Sequence, residues 1–148
     1  MTTDSTSPDP IRLAFVCVQN AGRSQMSTAF AERERERRDL ETDVEILTGG
    51  TQPADQVHEG VVDAMDDAGV DLSGRIPRKI TTEELRSCDY VATMGCSTLD
   101  VDEVEDDVDI RDWALEDPDG KSFERVRAIR DEIERNVVAL FDEVERRA

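Results

Sequence analysis

Lysine is nearly missing from this chain. Of 18 basic residues only Lys79 and Lys121 are lysines, and the arginines that make up the rest face 36 aspartates and glutamates. The net charge of −18 repels nucleic acid and anionic membrane surfaces, which sets both aside as partners. A carboxylate-rich surface of this kind holds water and tolerates its own repulsion when salt screens it, so the composition reads as that of a halophilic protein. Long apolar runs are missing as well. None approaches the ~20 residues that span a bilayer, and the segment MTTDSTSPDP has neither the basic start nor the apolar stretch of a leader. The expected location is cytoplasmic. Cysteine is scarce and odd in number: Cys17, Cys88 and Cys96 cannot build a disulfide framework, and in a reducing compartment each is catalytic, redox-active or buried. The single histidine, His58, has no matched set of cysteines or histidines near it, so no metal site is expected, and it reads as a surface or capping residue. No Gly-Lys-Ser/Thr pattern accompanies Gly49-Gly50, which reads as a turn and not as a nucleotide loop.

At 148 residues the chain has room for one domain. Residues 1–10 carry no apolar side chain after Met1 and read as a disordered tail. Order starts at Ile11, where the mostly apolar stretch Ile11 to Val18 predicts a strand covered on both faces. A helix over about Ser24 to Arg38 follows, with Met26, Ala29 and Phe30 inward and the Glu/Arg run from Glu32 outward as a solvated face. Val44 to Thr48 predicts a second strand. Val57, Val61, Ala64, Met65 and Ala68 stand at helical spacing, and Gly69 stops that helix. Thr81 or Thr82 can cap a short helix with Glu83 or Glu84 in its first turn. Tyr90 to Met94 and Val108 to Ile110, extending towards Trp113, predict two more strands. Phe123 to Arg146 predicts a long helix whose apolar stripe runs from Phe123 to Val144. Strands alternating with helices argue for an open parallel α/β sheet, whose ligand site belongs at the C-terminal ends of the strands.

Cys17 stands at such an end. The stretch Cys17-Val18-Gln19-Asn20-Ala21-Gly22-Arg23-Ser24 passes from strand to helix, and a loop of this length can turn its N–H groups inward as a cradle for a tetrahedral oxyanion. Arg23 would close the cradle with a two-pronged grip. Cys17 would face the centre of that positive field, which favours the thiolate and makes it a nucleophile. Ser24 can donate its hydroxyl to the sulfur, and Asn20 and Gly22 suit the left-handed backbone of a curled loop. A thiolate attacking an oxyanion must expel an oxygen, and a positioned acid helps that departure. Asp117 is the candidate, held by Pro118 in a loop before the last helix, although an Asp-Pro turn beside a helix start would look the same. Cys96 directly follows the third strand, so its thiol could attack a sulfur-bound intermediate. Cys88, at the end of the short helix, reads mainly as packing.

These motifs resemble the low-molecular-weight protein tyrosine phosphatase superfamily, and more closely its arsenate reductase branch. Asn-Ala-Gly-Arg-Ser-Gln-Met at 20–26 is similar to the reductase form of the loop, the phosphatases usually having proline where Gln25 stands. Thr93-Met94-Gly95-Cys96 and Asp117-Pro118-Asp119-Gly120-Lys121 are also reductase-like. The resemblance covers 11–148 as one catalytic domain. It implies a four-stranded parallel sheet flanked by helices in a flavodoxin-like three-layer arrangement, with Cys17 as nucleophile, Arg23 as oxyanion ligand and Asp117 as general acid. It further implies arsenate reduction through a Cys17-bound arsenic intermediate, a second thiol carried over to Cys96, no tightly bound cofactor, and thioredoxin, a glutaredoxin-like protein or a low-molecular-weight thiol as reductant. The alternative is hydrolysis of phosphotyrosine or small phosphomonoesters through a Cys17 thiophosphate. One departure matters: thioredoxin-coupled members carry a third cysteine just beyond the second, and 97–113 has none. Either Cys17 and Cys96 suffice, or Cys88 takes a part, or an external thiol resolves the intermediate.

Overall fold

The computed structural model describes residues 10–17, 19–72, 74–94, 108–113, 115–118 and 120–147. The elements run β1 (Ile11–Cys17), α1 (Arg23–Arg37), β2 (Val44–Gly50), α2 (Glu59–Asp67), α3 (Thr82–Arg86), β3 (Tyr90–Thr93), β4 (Asp109–Asp112) and α4 (Phe123–Arg147). The four strands form one parallel sheet in the order β2-β1-β3-β4, as the alternating pattern predicted. The chain leaves β1 towards β2 on one side and returns to β3 on the other. The crevice of such a sheet opens at that reversal, beyond the C-terminal ends of β1 and β3.

Side-chain alternation divides the core between the two faces of the sheet. Leu13, Phe15, Cys17, Tyr90 and Ala92 face the larger core, filled by Met26 and Phe30 of α1, Val61, Ala64 and Met65 of α2, and the α4 stripe from Val126 to Val144. Ala14, Val16 and Val91 face a smaller one with Ile80, Leu85 and Cys88. Each large side chain buried along α4 contributes about 2 kcal/mol, which makes that helix the main clamp on the sheet.

Several local expectations are corrected. Phe123 leaves the α4 stripe: it is 45% exposed and lies under the Arg127 guanidinium. The Glu/Arg run of α1 is half an interface. Glu34 is buried between Arg37 and Arg38, Arg33 pairs with Glu134, and Arg38 reaches Asp142 and Glu145 on α4. Arginine suits these seams because its planar fork serves two carboxylates at once. Val57 is buried but precedes α2, whose first residue is Glu59 and whose N-cap is His58. At the far end of α2, Gly69 takes φ +82°, and its N–H bonds to Asp66 O. Thr81 is the cap of α3, in a reciprocal capping box with Glu84.

Gly49-Gly50 is no turn. Both residues end β2, paired with Val16 and Cys17. A Cβ on Gly49 would fall 2.4 Å from Ile80 Cβ and 2.9 Å from Ile80 N. The missing side chain lets the segment 78–80 bond along the β2 edge, Gly50 N–H to Arg78 O and Ile80 N–H to Gly50 O. That places the Arg78 backbone beside the loop after β1.

Candidate active site

β1 ends at Cys17 and α1 begins at Arg23, with residues 18–22 curled between them. Val18 lies outside the described residues. The loop is held by Asn20, which is fully buried and carries the left-handed backbone, φ +53°. An asparagine tolerates that angle where most residues do not. Its Oδ1 accepts from the Arg78 backbone N–H at 2.9 Å and from Gln25 Nε2 at 3.0 Å. A backbone N–H can only donate, so this contact orients the amide and turns Nδ2 towards Ser24 Oγ at 2.7 Å and Thr48 Oγ1 at 2.8 Å. One buried side chain therefore joins the loop to α1, to β2 and to the segment laid against Gly49.

The same amide holds the hydroxyl that stands against the sulfur. Cys17 Sγ and Ser24 Oγ are 2.9 Å apart. Ser24 Oγ accepts from Asn20, and once Cys17 is ionised its sulfur can only accept, so the Ser24 hydroxyl then donates to it. Gly22 does not take the expected left-handed angle, its φ being −141°. It serves close approach instead, since a Cβ there would lie 3.0 Å from Pro118 Cγ and 3.6 Å from His58 Cδ2.

Arg23 donates from Nη1 to Leu115 O at 3.0 Å, and its Nη2 lies 4.0 Å from Asp117 Oδ2. The guanidinium is thereby seated on the loop before α4, and the acid stands at the mouth beside it. Cys17, Gln19, Gly22, Arg23, His58 and Asp117 line one open cavity of about 220 Å³. This is below the roughly 300–1,000 Å³ of pockets for drug-sized molecules and suits a small ion.

The structure thus brings Cys17, Gln19, Asn20, Gly22, Arg23, Ser24 and Asp117 into one neighbourhood, with Ala21 buried beneath it. Cys96 and Asp119 lie outside the described residues. Cys88 is elsewhere. It belongs to the smaller core on the other face of the sheet. Its neighbour Asp89 donates to Arg12 O, so Cys88 stands near the start of β1, roughly 15–20 Å from Cys17 at a rise of about 3.3 Å per residue. Burial pushes its thiol up to about 11, and its Sγ is 3.3 Å from Glu84 O, which can only accept.

His58 is the site residue that motif reading missed. The sequence reads as placing a surface or capping residue there, yet its side chain makes no capping bond. The available signal was topological: the helix after β2 starts at the same edge of the sheet as the loop after β1, so its N-cap residue faces the same crevice. His58 N–H bonds to Ala21 O at 2.9 Å and ties the two together.

The model of the family described as low molecular weight phosphotyrosine protein phosphatase matches residues 12–148. The chain belongs to that family. A relative from Halobacterium salinarum named "Putative arsenate reductase" is 67% identical over 143 residues, covering 97% of this chain and 96% of its own. Its haloarchaeal source agrees with the salt-adapted composition. The glutaredoxin arsenate reductase of Synechocystis is 30% identical over 137 residues, covering 90% of this chain and 98% of its own. Among solved structures, the thioredoxin-dependent arsenate reductase of Corynebacterium glutamicum superposes with a TM-score of 0.77 at 28% identity, covering 98% of this chain and 67% of that one. In this member of the phosphatase family no helix among the described residues is long and apolar enough to cross a membrane, and none of those residues forms a metal-binding cluster.

Proposed function

We propose that this chain is a thiol-dependent arsenate reductase in which Cys17 is the nucleophile, Arg23 the oxyanion ligand and Asp117 the general acid. The observation that carries the reading is that Cys17, backed by Ser24, lines one cavity with Arg23 and Asp117, in a chain 67% identical to a relative named for arsenate reduction. Arsenate enters the cradle at the N-terminus of α1, where the helix dipole and Arg23 balance its charge. The Cys17 thiolate attacks arsenic while one oxygen departs, taking the Asp117 proton and leaving as water. A second thiolate then attacks Cys17 Sγ. A sulfur–sulfur bond forms, the sulfur–arsenic bond breaks, and its electron pair stays on arsenic, so two thiols are oxidised as arsenic(V) becomes arsenic(III).

Cys96 is our choice for that second thiol. Met94 N–H bonds to Val16 O at 3.2 Å, and two further residues of chain extend at most about 7 Å from there. Cys88, on the other face and held protonated by burial, takes no part. The relatives named for glutaredoxin and thioredoxin support a protein thiol as the final reductant, and a low-molecular-weight thiol would serve the same chemistry. Hydrolysis of phosphomonoesters is the second reading, favoured by the family match; it uses the same three residues and a water activated by Asp117. Arsenate-dependent oxidation of an added thiol separates them. Wild type should turn over, Cys17→Ser should be inert to arsenate and to an aryl phosphate, and Cys96→Ser should lose only the former. Unchanged arsenate turnover in Cys96→Ser would remove that residue from the scheme.

A further inference from the structure

The cavity around Cys17 is short of positive charge. The Cys17 thiolate and a dianionic oxyanion would meet there, and among the described residues Arg23 is the one guanidinium lining the cavity, with part of its fork spent on Leu115 O. The remaining side chains are Gln19 and His58. His58 Cδ2 stands 3.6 Å from where a Cβ on Gly22 would be, beside Pro118 Cγ, so the ring forms the wall next to the acid loop. Its backbone is fixed by the bond to Ala21 O, its side chain caps no helix N–H, and among the described residues the ring has no hydrogen-bond partner. A half-buried imidazole with an unused N–H in an anion cavity can donate to the anion in either tautomer, and in its protonated form it adds a full charge.

We infer that His58 is a substrate-contacting residue, whose ring N–H donates to the oxygen of the bound oxyanion that faces away from the loop amides and towards Asp117. This rests on the reading of the cavity as an oxyanion site. It adds to Arg23 a second cationic or donor wall, one that the motif of residues 17–24 does not contain. The probe is inorganic phosphate, which occupies the same cradle without reacting, and its affinity for the full chain is measured by calorimetry. His58→Ala should weaken phosphate binding about tenfold, the scale of one hydrogen bond to a charged group. His58→Gln, which keeps a donor at similar reach, should stay within about threefold of wild type. An unchanged affinity in His58→Ala overturns the inference, and so does an equal loss in both variants, which would mark the ring as packing only. The unfolding midpoint of each variant reports whether the fold is kept. Failure of the reductase reading looks different: wild type would bind phosphate and release no arsenite from arsenate.

Discussion

Cys17 and Cys88 are both free, both buried and both packed against the same sheet. Their surroundings oppose each other. Cys17 stands at the C-terminal end of β1 with the Ser24 hydroxyl 2.9 Å from its sulfur and an arginine in the same cavity. Cys88 stands near the other end, on the other face, with a carbonyl oxygen as its hydrogen-bond partner and its thiol pushed up to about 11. Burial alone therefore does not decide what a thiol does. The end of the strand and the sign of the groups around the sulfur decide it.

The largest test of this contrast is to remove each thiol. Cys17→Ser should cost at least about a thousandfold in arsenate turnover, since the serine hydroxyl is a far poorer nucleophile at neutral pH. Cys88→Ala should stay within about twofold, because that residue is placed outside the machinery. Comparable losses in both would erase the distinction. Next is the buried hub behind Cys17. Asn20→Ala leaves the Arg78 N–H without its acceptor and places alanine at a left-handed angle, and together these should cost about 2–4 kcal/mol in a denaturant titration. Gly49→Ala should destabilise by about 1–3 kcal/mol through its clash with Ile80, and should loosen the same loop from behind. Normal stability in both would mean that the Cys17 environment does not depend on the segment 78–80.

These two positions also mark where sequence reading stopped. The strand-loop-helix unit, the meeting of Cys17 and Arg23 in one cavity and the parallel order were legible because each follows from a local pattern: an apolar run, a spacing of six residues, alternation of strands and helices. Gly49, Asn20 and His58 act through partners 31, 58 and 37 residues away, Ile80, Arg78 and Ala21. No period or motif links such pairs. Gly49-Gly50 looked like a turn because a glycine needed for close approach is the same letter as one needed for a bend. The charge run of α1 looked solvated because its partners lie on α4, about a hundred residues later.

Smaller effects sharpen the comparison. Ser24→Ala removes the hydroxyl that stands against Cys17 Sγ and should slow reaction with arsenate about 10–30-fold at neutral pH. Cys88 gives a smaller, opposite signature. Its thiol titrates from 9.0 in the free group to about 11 in the fold. Between those values the native state holds a proton that the unfolded chain has released. Its contribution is thus complete below about pH 9 and is lost as pH climbs towards 11, a difference on the order of 2 kcal/mol. Wild type should therefore lose stability faster than Cys88→Ala across that window; parallel curves would mean that the thiol is not held protonated.

The most direct measurement gives the reduced protein one equivalent of arsenate with no added thiol, and reads released arsenite, intact mass and disulfide map together. The account predicts about one arsenite per chain, a loss of two hydrogens in mass and a bond from Cys17 to Cys96, with Cys88 still reduced. A disulfide that includes Cys88, or arsenite released from a chain in which Cys17 is unmodified, would contradict it.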